Sequence, residues 1–267
     1  MPNRLAHGDL VLSHFSLPRD TPLADRVKAA AAAGYAGIGW FVGDYVAHLE
    51  RGWTDARIEQ LLADHGLVLH EVDALPLERL ALADAAVHLA TAFGANHLQV
   101  QGNRPGSAEE AADTIAEIAD RVAPFDVGVA IEFVGNKNIA SADEAWDLVL
   151  RCGRTNVGVQ VDIWHHVRGA NDWTMLEALP IDRIMSVQFD DGPLAPTDPD
   201  YTFDTITYRC VPGEGEFDVD RFLRTVYPSA CNLPLSLEVI SAELLALPVD
   251  EAARRMADAT RRVLARQ

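Results

Sequence analysis

One pattern recurs along this chain and limits its fold more than any single motif does. A short run of β-branched and apolar residues is followed by an Ala- and Leu-rich amphipathic stretch, and then the next run begins. The runs fall at residues 10–15, 36–41, 67–72, 97–101, 127–133, 157–162, 184–189 and 235–240. The helical stretches fall at 23–33, 55–65, 77–93, 108–122, 142–152, 173–178, 219–226 and 250–266, with Gly34 and Gly66 as stop signals and Ser107 and Ser141 as start signals. Strand alternating with helix at this spacing means parallel strands joined by right-handed crossovers. Eight such units in about 250 residues is the size of a (β/α)8 barrel. The competitor, an open doubly wound sheet, places a Gly-rich phosphate turn after its first strand; here that strand runs into SHFSLPRD. The expectation is an α/β protein, a single (β/α)8 TIM barrel domain over residues 1–267, with the long loop 190–209 serving the active site.

Charge excludes one class of partner. With 40 acidic and 22 basic residues the formal net charge is -18, and no basic patch offers the phosphate contacts that nucleic-acid binding needs. No apolar run approaches a membrane span, and MPNRLAHGDL lacks the charged head and apolar stretch of a signal peptide, so no membrane association and a cytoplasmic address are expected. Cys152, Cys210 and Cys231 are odd in number and lack C-x-x-C spacing, which fits apolar filling better than disulfides or a thiolate zinc site.

The segment VGVQVDIWHH carries polar residues inside a valine strand. Side chains alternate across a strand, so Gly158, Gln160 and Asp162 share one face while Val157, Val159 and Val161 share the other. In a barrel the valines face the helices and the polar series faces the interior, with Asp162 nearest the C-terminal mouth where active sites form. The same parity puts Glu132 at the end of VGVAIEF, Gln188 at the end of IMSVQF and Glu238 in LSLEVI on the inward face. Three carboxylates and an amide at one mouth repel one another unless a cation balances them. The alternative is that each acid is satisfied separately by an arginine or by backbone donors. All-oxygen donors favour one divalent ion, Mn or Mg, with Co or Zn as softer options.

IEF around Glu132, VDIWH around Asp162, VQFDDGP around Gln188, RCVPGEGEFD from Arg209 and PLSLEVIS around Glu238 resemble the xylose isomerase-like TIM barrel superfamily of sugar epimerases, inosose isomerases and dehydratases, dehydroshikimate dehydratases and endonuclease IV. The resemblance implies Glu132, Asp162, Gln188 and Glu238 as metal ligands, and His165 and Arg209 as residues that contact substrate oxygens. Gln188 stands where the sugar epimerases usually carry His, which tilts the site toward the dehydratase branch. The third strand, ending HEVDALPLE, lacks that branch's Arg-containing segment, and Asn138 stands where several ketose epimerases have a second Glu. Endonuclease IV requires several strand-end histidines that this chain does not supply.

Such a site removes a proton next to a metal-polarised carbonyl, with Glu132 or Glu238 as base and His165 or Arg209 steadying oxyanion charge. The expected activity is a metal-dependent isomerase or epimerase of a small sugar, cyclitol or polyol ketone. Two alternatives stand beside it: a dehydratase of the inosose or 3-dehydroshikimate type, and a non-catalytic metal-binding barrel subunit. Self-assembly into a homo-oligomer stays open. His70, Gln101 and Trp164 are further candidates for the substrate pocket. His14, Glu71, Trp40 and Phe41 have equally good accounts as packing residues, and Lys137 has a better one as a surface-loop lysine.

Overall fold

The computed structural model describes residues 5–104 and 106–267, so the first four residues of the N-terminal stretch lie outside it. The strands are β1 (Leu10–Leu12), β2 (Gly37–Phe41), β3 (Val68–Pro76), β4 (His97–Gln101), β5 (Gly128–Glu132), β6 (Val157–Asp162), β7 (Ile184–Phe189) and β8 (Leu235–Leu237). They close in sequence order into an all-parallel barrel, β8 returning to β1. The helices around them are α1 (Leu23–Ala32), α2 (Val42–Glu50), α3 (Asp55–Asp64), α4 (Ala83–Ala92), α5 (Ala108–Val122), α6 (Ala142–Cys152), α7 (Ile163–Arg168), α8 (Trp173–Glu177), α9 (Tyr201–Thr205), α10 (Val219–Val226), α11 (Ala242–Leu245) and α12 (Val249–Leu264). This is the (β/α)8 barrel that the repeating pattern predicts.

Local chemistry fixes the joints. Ser107 and Glu110 form a reciprocal capping box at the start of α5. Gly34 and Gly66 leave their helices at φ 75° and 66°, a left-handed conformation that costs a residue with a Cβ far more. The outward valines and isoleucines of β5 and β6 are buried against the helices, each such side chain contributing about 1.5–3 kcal/mol of transfer free energy.

Several boundaries differ from the sequence reading. The first strand stops at Leu12 and gives way to a 3-10 turn at His14–Ser16, so His14 does not close a strand. β3 runs on to Pro76, past register shifts against β2 and β4, which sets His70 and Glu71 inside the strand. The predicted helix 77–93 is a 3-10 segment (Leu77–Leu82) followed by α4, and Arg79 breaks it with non-helical backbone at φ -127°, ψ 47°. Four helices had no counterpart in the prediction, α2, α7, α9 and α11, and α7 carries both His165 and His166. β8 ends at Leu237, leaving Glu238 just beyond it.

Among the described residues, no helix is long and apolar enough to cross a membrane.

Candidate active site

The strand ends surround a cavity of about 300 Å3 whose lining includes Phe15, Gln101, Glu132, His165, Arg209 and Glu238. Register brings the polar residues together: Glu132 lies opposite Gln160, Asp162 opposite Gln188, and Gln188 opposite Ser236. Register thus aligns Glu132, Asp162 and Gln188, while Glu238, just beyond β8, meets Gln188 through a hydrogen bond. Glu132 and Glu238 face the cavity. Asp162 and Gln188 are wholly buried and are not among its lining residues.

The two flanks of the mouth are built differently. On one, Glu132 accepts from Gln99 Nε2 at 2.8 Å and Gln160 Nε2 at 3.1 Å. Among the described residues no cation lies within salt-bridge distance of it. Burial first, then the charges of Glu238 and Asp162, hold its carboxyl well above the usual range. On the other flank, Arg209 Nη1 donates to Asp162 Oδ2 at 2.8 Å and also to Asp190, while Nη2 lies 3.2 Å from Glu238 Oε2. Burial alone would lower the arginine's pKa, but its three acidic neighbours outweigh that and raise it. Glu238 also accepts from Ser13 Oγ at 3.1 Å and Gln188 Nε2 at 3.3 Å. Burial pushes its carboxyl up to about 8 although Arg209 opposes the shift. Asp190 is likewise raised by burial against Arg209.

Arg209 thus reaches the cavity, yet its side-chain hydrogen bonds go to Asp162, Asp190 and the carbonyls of Thr205 and Glu238. The alternative weighed above, acids satisfied by an arginine, is realised on this flank and not around Glu132.

Asp162 does a second job as the N-cap of α7, accepting from Trp164 N at 2.8 Å. That cap turns the chain so that His165 Nε2 sits 3.7 Å from Asp162 Oδ2. Ligand atoms of Glu132, Asp162 and His165 fall within 4.8 Å of one another, a grouping able to hold a metal ion. Burial lowers the pKa of His165 to about 4, so the ring is uncharged at neutral pH.

Below the mouth lies a second polar layer. Glu71 takes the Ser236 hydroxyl, and Asp73 accepts from the His14 backbone N–H at 3.1 Å and from Ser13 Oγ at 3.3 Å. Burial raises Glu71 well above its ordinary value and Asp73 to about 7. Gly39 on β2 makes room for both, since a Cβ there would collide with Asp73 Oδ2 and come within 2.8 Å of Glu71 Oε1.

The remaining candidates scatter. Gln101 and Lys137 line the cavity. His70 does not: it lies deeper in the barrel, edge-on to His97 with centroids 5.6 Å apart. Trp164 is fully buried on α7, donating from Nε1 to Thr205 Oγ1 at 3.0 Å, and so stands behind the pocket instead of walling it. Trp40 is a core residue tied to Asp44. Asn138 is occupied by the β4 loop, its Oδ1 accepting from Arg104 N at 2.8 Å. Sequence reasoning missed Gln99, Asp73, Asp190 and Tyr201, whose hydroxyl lies 2.9 Å from His165 Nδ1.

The sequence profile described as xylose isomerase-like TIM barrel matches residues 27–263. The chain belongs to that family. Within the xylose isomerase-like family it is 30% identical over 241 residues to a 3-dehydroshikimate dehydratase of Pseudomonas aeruginosa, a match that covers 85% of this chain and 37% of the relative. It is 28% identical over 161 residues to an inosose isomerase of Bacillus velezensis, covering 59% of this chain and 56% of the relative. Both relatives are enzymes by name, and the chain spans less than two thirds of the length of either. The solved IOLI protein with a binding zinc atom superposes at a TM-score of 0.84 and 19% identity over 97% of this chain and 98% of that one, a likeness of fold.

Proposed function

We propose that this barrel is a divalent-metal-dependent isomerase or epimerase that removes the proton next to the carbonyl of a small polyhydroxylated ketone, a sugar or cyclitol. The observation that carries the reading is a charge imbalance. Asp162, Asp190 and Glu238 converge on one guanidinium, and Glu132 beside them has no cation of its own among the described residues, four acids to one base. Leaving a carboxylate unpaired in a protein interior costs several kcal/mol, and the raised pKa values of Glu132 and Glu238 express that cost.

The residues fit a cation. Glu132, Asp162, Gln188 and Glu238 would hold it, and Gln188 Oε1 is buried without a hydrogen-bond partner on this cluster. Four oxygens suit Mg or Mn, whereas recruiting His165 would shift the preference toward Zn or Co. When bound, a divalent ion acts as a Lewis acid that makes the C–H beside a carbonyl more acidic. Glu132, which pairs with no arginine or lysine among the described residues, is the proton acceptor. Glu238 faces the same cavity from the Arg209 flank and returns a proton from that side. His165 donates a hydrogen bond to a substrate oxygen, and Arg209 holds Asp162 and Glu238 in place. A cavity of about 300 Å3 matches a single-ring substrate.

A second reading, dehydration, is supported by the longer match to the dehydratase, 241 residues against 161 for the isomerase, and by Gln188. In it the proton leaves as before and a β-hydroxyl departs as water.

Both readings are tested with purified protein whose metal content is measured and which is then offered inososes, ketohexoses and 3-dehydroshikimate in deuterated water. One divalent ion per chain and deuterium at the carbon beside the carbonyl of an isomeric product support the isomerase. Loss of water supports the dehydratase. No metal uptake after soaking in Mn, together with no exchange on any ketone, overturns the proposal.

A further inference from the structure

His165 can serve this site in two ways, as a metal ligand through Nε2 or as an N–H donor, and the two require opposite tautomers. Its neighbours decide between them. Tyr201 Oη lies 2.9 Å from His165 Nδ1, and the two rings are stacked with centroids 6.2 Å apart. The Asp162 carboxylate only accepts, and it faces Nε2 at 3.7 Å, which favours the ring hydrogen on that nitrogen and leaves Nδ1 as the acceptor for the phenol hydrogen. An uncharged ring that accepts at Nδ1 carries its hydrogen on Nε2, the nitrogen 3.7 Å from Asp162 Oδ2.

The placement is built and not incidental. Gly135 has no side chain where the tyrosine packs: a Cβ there would come within 3.0 Å of Tyr201 Oη and of Gly169 Cα. The rest of α9 is fastened to its surroundings, with Asn136 Nδ2 donating to Thr202 Oγ1 at 3.0 Å, Trp164 Nε1 donating to Thr205 Oγ1 at 3.0 Å, and Arg168 paired with Asp204 in the interior. Tyr201 is therefore held against His165 from several sides.

We infer that Tyr201 is a positioning residue: its hydroxyl donates to Nδ1 of His165, fixes the ring hydrogen on Nε2, and so makes His165 a hydrogen-bond donor to substrate instead of a metal ligand. The effect on turnover rests on the function proposed above; the tautomer does not.

The test reads the imidazole 15N resonances of His165, assigned by their loss in His165→Gln, in protein as purified and after addition of zinc, the ion most apt to recruit an imidazole. Wild type is expected to show a bare Nδ1 and a protonated Nε2 in both states. Tyr201→Phe keeps the ring but lacks the hydroxyl, and should shift hydrogen toward Nδ1 while lowering kcat/KM about tenfold to a hundredfold. Adding His165→Ala to that variant should cost less than it does alone. A wild-type ring protonated at Nδ1, zinc bound to Nε2, or 15N signals unmoved by Tyr201→Phe would overturn the inference. The expected tautomer in a protein that exchanges no substrate proton would sustain the inference and reject the proposed function.

Discussion

Glu132 and Glu238 are both buried glutamates at strand ends facing one cavity, yet their surroundings differ in kind. Two glutamine amides hold Glu132, and a guanidinium shared with Asp162 and Asp190 holds Glu238. Amides orient a carboxylate without neutralising it, and burial holds the Glu132 carboxyl well above the usual range. The guanidinium neutralises, and in doing so it welds Glu238 to two neighbours. The first arrangement leaves a carboxylate without a countercharge; the second holds one in a fixed position from which it can return a proton.

Glu132→Gln is the sharpest way to break this contrast. It should lower turnover by about a hundredfold to ten-thousandfold, as expected for a lost general base, while the unfolding free energy changes by no more than about 1 kcal/mol, because no ion pair is lost. A large loss of stability in urea denaturation would erase the distinction between the flanks. Arg209→Met is the mirror experiment: it strands three buried acids and should cost about 3–5 kcal/mol. A variant as stable as wild type would show that the acids do not depend on that guanidinium.

Smaller changes sharpen the picture. Gln99→Leu removes one of the two amide donors to Glu132 and should cost about 1–3 kcal/mol, with the Glu132 carboxyl titrating higher still in carbon-detected NMR. An unmoved titration would mean that the amide does not hold the acid. The mildest effect is on pH dependence without added metal. The Glu238 carboxyl stands at about 8 in the fold against an ordinary value of 4.5. A group raised in the folded state contributes its full stability below the unfolded value and loses it as pH rises through the folded one. The metal-free melting temperature should therefore fall between about pH 4.5 and 8, and added Mn should flatten the slope. A metal-free melting temperature that climbs across this window would contradict the assignment.

The sequence made the barrel legible because eight strand–helix units repeat, and it made Glu132, Asp162, Gln188 and Glu238 legible because alternation survives in the late strands. It failed where alternation does. The register shifts beside β3 carry that strand on to Pro76, so Asp73 falls inside a strand that the pattern ends at Val72. Asp190 sits one residue beyond β7, in phase with Gln188, so continued alternation could have found it; only the fold of the following loop brings Arg209 to it. α7 is too short for a helical period to show, although Asp162 two residues ahead of Trp164 is a cap signal that could have found it. Tyr201 follows a similar cap, Asp200, whose side chain accepts from Thr202 N and Phe203 N. That its phenol meets a histidine 36 positions earlier is tertiary information that no local pattern carries.

Gly39 bears on how variation in such a barrel would read. The residue touches no cavity, holds no proton and caps no helix, yet a single added methyl group there would drive into the carboxylates of Asp73 and Glu71. Asp73 shares the Ser13 hydroxyl with Glu238, so displacing it would disturb a residue at the mouth from a position on the far side of two strands. Tolerance to mutation at Gly39 is thus set by the carboxylates packed against it and not by its own backbone, and a deep mutational scan would score this glycine among the site residues although it performs none of their chemistry.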